Sequence, residues 1–123
     1  MKFHLAIPSK DIAESLQYYA MLGCKLGRFN DKYGIIDFWG HQVVVHKVDA
    51  VEPQPMYPRH FGLVVSRDEF YYLQQFIAKS KIQIFEDVFT RYKDTPAEHT
   101  TIFIQDPSYN LIEFKYYKDE KMI

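Results

Sequence analysis

The chain has 123 residues, 47% of them hydrophobic and 25% charged, with a formal net charge of -1. These values describe one soluble globular domain, or two small modules sharing a core. They exclude a broad electrostatic attraction to nucleic acid, and no apolar run reaches the roughly eighteen residues that a membrane span needs. Ten tyrosines and ten phenylalanines are an excess that suits a core, an apolar interface or the wall of an organic-ligand pocket.

The N-terminal stretch MKFHLAIPSKDIAE lacks the length and cleavage pattern of a signal peptide. Cys24 is the only cysteine, so no disulfide forms within the chain, which fits a reducing, cytoplasmic location. A small buried hydrophobe is its expected role.

FHLAIP, Phe3 to Pro8, reads as the first strand. A helix follows over SKDIAESLQYYAMLG, where Asp11 and Glu14 have capping-box spacing and Gly23 suits the C-terminal stop. Ile12, Leu16 and Tyr19 fall on one face of it. CKLGRF, YGIIDF and QVVVHKV are strand-like runs separated by turns at Asn30-Asp31 and Gly40. Pro53, Pro55 and Pro58 then mark an extended linker.

After the linker the pattern restarts. HFGLVV, His60 to Val65, is a strand, and Ser66 and Glu69 repeat the capping-box spacing. The second helix runs to about Ser80, with Phe70, Leu73 and Ile77 on one face. KIQIFED, TTIFIQ and NLIEFKYY complete the chain. Each half therefore reads β-α-β-β-β, and His4 and His60 hold matching places in the opening strands. The expected fold class is α+β: two βαβββ modules, residues 1–50 and 59–117, joined by a linker at 51–58 and forming curved mixed sheets around a cleft.

Side chains alternate across a strand. Phe3, Leu5 and Ile7 oppose His4 and Ala6. Phe61, Leu63 and Val65 oppose His60, Gly62 and Val64. Ile112, Phe114 and Tyr116 oppose Leu111, Glu113 and Lys115. One face of each strand can meet a helix, and the other carries one candidate ligand. A carboxylate inside NLIEFKYY is costly in low dielectric unless it is paired, hydrogen-bonded or metal-bound. Two histidines and one carboxylate suit Fe, Mn, Zn, Ni or Co in nitrogen and oxygen coordination, and the candidate metal ligands are His4, His60 and Glu113.

These segments resemble a known family. FHLAIPSKDIAESLQYYAMLGCKLG, DFWGHQVVVHK, RHFGLVV and TTIFIQDPSYNLIEFK together look like a vicinal oxygen chelate protein, the superfamily of glyoxalase I, bleomycin-resistance proteins and extradiol ring-cleaving dioxygenases. The resemblance implies paired modules enclosing a divalent metal ion, with ligands at His4, His60 and Glu113. Many members add a ligand from the last strand of the first module. Aligning WGHQVVV with SYNLIEF puts Val44 there, so a three-ligand site like that of the extradiol enzymes is the better match. Gln42 and His46 share the strand face of Val44 and become ligands only if the register shifts. Tyr109 in DPSYN stands where the family usually has glycine, while Asn110 tolerates left-handed turn geometry.

The resemblance implies a metal-dependent enzyme acting on a small organic molecule that chelates through neighbouring oxygens, with extradiol-like cleavage leading. A glyoxalase-like lyase or isomerase, and a non-catalytic antibiotic-binding protein, are the alternatives. TRYKDTPAEHTT supplies polar candidates: Arg91 and Lys93 to anchor an anion, Glu98 or His99 to move a proton. Arg28 has a similar standing, Lys115 shares the face of Glu113, and Tyr33, Phe38 and Trp39 are candidate apolar walls. The modules can close within one chain or pair across a homodimer, His4 then meeting His60 and Glu113 of the second copy.

Overall fold

The computed structural model describes residues 1–53 and 59–123. Most of the anticipated linker, with Pro55 and Pro58, lies outside the described residues. Two compact units emerge: Met1–Gln54 with Asp106–Asn110, and Pro55–Gln105 with Leu111–Ile123.

In the first unit, β1 (His4–Ser9) leads through α1 (Ile12–Leu22) to β2 (Lys25–Phe29), β3 (Tyr33–Phe38) and β4 (His41–Lys47). The sheet order is β1-β4-β3-β2, with β1 and β4 parallel and the other pairs antiparallel. Asp11 caps α1 by accepting the Glu14 N–H, and Gly23 ends it with φ of 110°, a left-handed position that suits glycine. Ile12, Leu16, Tyr19 and Leu22 are buried against the sheet with Ile7, Ile36, Val43 and Val45. Burying each such side chain stabilises the fold by about 1.5–3 kcal/mol. Phe3 departs from the expected buried face: it precedes β1 and is 62% exposed. Asn30 Oδ1 accepts the N–H groups of Lys32 and Tyr33, which forms the first expected turn.

The second unit repeats this plan. β5 (Phe61–Val64), α2 (Arg67–Lys79), β6 (Gln83–Arg91), β7 (His99–Gln105) and β8 (Leu111–Tyr117) give a sheet of order β5-β8-β7-β6, closed by a short 3-10 turn at Glu120–Met122. Again the outer pair, β5 and β8, is parallel. Ser66 and Glu69 form a reciprocal capping box, and Phe70 and Ile77 are buried, with Leu73 half-buried. Phe114, Ile102, Ile104 and Ile112 complete that core. The chain thus builds one βαβββ design twice. Among the described residues no helix is long and apolar enough to cross a membrane.

Candidate metal-ligand face and the family it belongs to

Register makes the two halves comparable residue by residue. In the first sheet His4 lies opposite Gln42 and Ala6 opposite Val44. In the second, Phe61 lies opposite Ile112 and Gly62 opposite Glu113. Two residues after each histidine, the facing position is therefore Val44 in one half and Glu113 in the other. Valine offers no donor atom, so the duplicated positions are chemically unequal.

Glu113 is 9% exposed and is held on both oxygens. Its Oε1 accepts the Thr101 hydroxyl at 2.7 Å. Its Oε2 lies 3.1 Å from His60 Nε2 and 3.9 Å from Lys115 Nζ. His60 sits one residue before β5, and its ring meets Phe103 edge-on at 5.3 Å between centroids. Gly62 makes this approach possible. An added Cβ there would run into the backbone of Glu113, so no other residue permits the same β5–β8 pairing.

The spacing of His60 Nε2 and Glu113 Oε2 suits a hydrogen bond between them and has the span of two ligand atoms on one divalent ion. Two ligand atoms at about 2.1 Å from one ion, at right angles, stand about 3 Å apart, close to the spacing of Nε2 and Oε2. Imidazole nitrogen with carboxylate oxygen is also the donor chemistry of such ions. In the first unit, His4 Nδ1 lies 2.7 Å from Gln42 Oε1. An amide oxygen only accepts, so Nδ1 carries the proton and Nε2 keeps its lone pair for a ligand. Gln42 thus orients His4, while His46 is exposed at the far end of β4. No group of three or more His, Cys, Asp and Glu side chains arranged to hold an ion occurs among the described residues.

The polar segment before β7 is more ordered than its composition suggests. β6 extends to Arg91 and β7 begins at His99, so both belong to strands, not to a loop. They are direct partners, and His99 faces Tyr117 in turn, on the same side of the sheet as Glu113. The Arg91 guanidinium lies 5.3 Å from the Phe89 ring centre. His99 is buried between the rings of Tyr92 and Tyr117, its Nδ1 donating to the Ala97 carbonyl at 3.1 Å. Lys93 is exposed. Glu98 accepts the Asp94 N–H at 2.9 Å and lies 3.9 Å from Lys118 Nζ, which gives it a turn-holding role. Arg28 is exposed and donates to the Tyr33 hydroxyl. Phe38 is buried and packs against Trp39, which is 42% exposed at a hairpin tip.

Two residues on the Glu113 face were not singled out from the sequence for what they do there. Thr101 carries no signal beyond its alternation within β7. Gly62 inside an apolar strand is itself a mark of close backbone approach.

Residues 3–114 match the profile of the Glyoxalase/Bleomycin resistance protein/Dioxygenase superfamily, and the chain belongs to that family. Members commonly use divalent metal ions and bind small molecules. A crystal structure of a glyoxalase/bleomycin resistance protein/dioxygenase from Alicyclobacillus acidocaldarius is 40% identical, covers 100% of this chain and 96% of that one, and superposes with a TM-score of 0.95. The glyoxalase domain-containing protein RDO1 of Mycosarcoma maydis is 25% identical over 122 residues, 96% of this chain and 69% of that protein. The fosfomycin resistance protein FosX of Listeria monocytogenes shares the fold, with a TM-score of 0.77 at 12% identity over 98% of this chain and 95% of that one.

Proposed function

We propose that the protein is a divalent-metal-dependent enzyme acting on a small organic substrate that chelates through two neighbouring oxygens, with His4, His60 and Glu113 as the metal ligands. The observation that carries this reading is the His60–Glu113 pair, whose Nε2 and Oε2 atoms stand 3.1 Å apart, the half-buried imidazole against the buried carboxylate of β8. A bound ion would supply charge to fix the chelating oxygens and stabilise an anionic intermediate. Extradiol-like ring cleavage with Fe(II) or Mn(II) is the favoured reaction, because Val44 removes the second carboxylate that a glyoxalase-type site would use as base.

Arg91 supplies positive charge for an anionic substrate group on the Glu113 face. His99, with Nδ1 tied to a carbonyl, keeps Nε2 for proton transfer. The third ligand, His4, comes from a first unit. We place it on a second copy, making a homodimer with two equivalent sites. The single buried cysteine supports a cytoplasmic setting.

Protein purified without chelator should carry about one divalent ion per chain and sediment as a dimer at micromolar concentration. His4→Ala, His60→Ala and Glu113→Gln should each abolish the ion. Iron or manganese with oxygen uptake on catechols supports this reading. Nickel or zinc with hemithioacetal turnover would move the protein to the lyase or isomerase class. A wild-type chain that takes up none of these ions would be a small-molecule binding protein instead.

A further inference from the structure

Thr101 lies on β7, fully buried at 0% exposure. Its facing partner on β8 is Lys115, with Glu113 diagonal to it, facing Phe103. The hydroxyl has one proton and two acceptors within reach: Glu113 Oε1 at 2.7 Å and the Phe114 carbonyl at 3.3 Å. The shorter and charge-assisted bond takes the proton. Oε2 has a different environment, turned to His60 Nε2 and Lys115 Nζ. The two oxygens of one carboxylate are thus divided between the protein interior and the imidazole.

We propose that Thr101 is a positioning residue that reserves Oε1 of Glu113 for the protein and leaves Oε2 alone to bind a divalent ion. This rests on the metal reading above. Carboxylates bind such ions through one oxygen or two, and a free carboxylate can turn to offer both. Here turning would break the short charge-assisted bond and leave the buried hydroxyl only its longer contact to the Phe114 carbonyl. The consequence bears on the substrate. On a six-coordinate ion, two imidazoles and one carboxylate oxygen leave three positions, whereas a two-oxygen carboxylate leaves two. Thr101 therefore keeps a place for a further ligand beside the two oxygens of a chelating substrate.

Co(II) is the probe, followed in the full chain by calorimetry and by its visible absorption, with metal-free melting measured alongside. Thr101→Val should weaken Co(II) binding by about 10- to 100-fold and change the absorption band, whereas Thr101→Ser should stay within about threefold of wild type and keep its band. Should Thr101→Val not fold, Thr101→Ala against Thr101→Ser reads the same hydroxyl. A merely structural hydroxyl would lower the metal-free melting temperature and leave affinity and band unchanged, which overturns the proposal. So would Thr101→Ser binding as poorly as Thr101→Val. A wild-type chain that binds no Co(II) while also taking up no other divalent ion would overturn the metal reading itself, a distinguishable failure.

Discussion

His60 Nε2 and Glu113 Oε2 stand 3.1 Å apart although 53 positions separate them in the chain. The parallel β5–β8 pairing creates that proximity, and a ligand that uses both atoms should stabilise the fold. At an ion concentration about 100 times its dissociation constant, linkage adds about 2.7 kcal/mol. Thermal melting should therefore rise on adding Mn(II) or Co(II) and return to its starting value with a chelator. Glu113→Gln keeps the side-chain volume and should remove the rise. An unchanged shift in that variant would detach the ion from this pair.

Gly62 allows β5 to lie against Glu113. An added methyl group meets backbone, which cannot move aside as a flexible side chain can. Gly62→Ala should cost about 3 kcal/mol in urea denaturation, the upper range for overpacking, and should also lose ion binding. Full stability with full binding in this variant would refute the close approach.

Asp106 lies buried in the β7–β8 turn, where Tyr19 donates to its Oδ2 at 2.8 Å. Asn110 donates to the same oxygen, and the N–H groups of Ser108 and Asn110 to Oδ1. Burial raises its carboxyl above the usual value, and these hydrogen bonds offset the rise in part. A raised carboxyl contributes stability below its unfolded value and loses it as pH climbs through the folded one. Ionised Asp106 therefore costs stability at neutral pH, and its donors limit that cost. Tyr19→Phe should destabilise by about 1.5–3 kcal/mol at pH 7, and by less near pH 4. Urea melts at the two pH values would show the difference, and a penalty that grew in acid would contradict the sign.

Tyr109 has φ of 68° in the same turn. The sequence suggested Asn110 as the residue suited to left-handed geometry, but the turn places Tyr109 there and uses the Asn110 amide to donate to the Pro8 carbonyl and to Asp106. A left-handed L-residue costs about 1–2 kcal/mol, and glycine returns about 0.4–1 kcal/mol of that through unfolded-chain entropy. Tyr109→Gly should thus stabilise by up to about 1.6 kcal/mol, read as a higher melting temperature. A lower one would mean that tyrosine packing outweighs the backbone strain.

Much of the fold was written in local patterns. Capping pairs at Asp11 and Ser66, the stop at Gly23 and the two strand-helix openings required only neighbours a few residues apart. Alternation by twos also put Glu113 opposite Ile112 and Phe114, and so out of the helix-packed core. Extended structure through Arg91 and from His99 was less legible. Those residues sit beside turn-forming ones, and their strand character comes from pairing with each other across the Tyr92–Glu98 loop.

The sequence by itself determined the duplication, the faces, and the inequality of Val44 and Glu113, because periodicity and composition are properties of short stretches. Only the tertiary structure decided which atoms meet. Thr101 reaches Glu113 through antiparallel register, His60 reaches it through a parallel crossover, and Gln42 turns from a possible ligand into the partner of His4. Register between strands distant in the chain is fixed by the packing of whole faces, and no local pattern carries it.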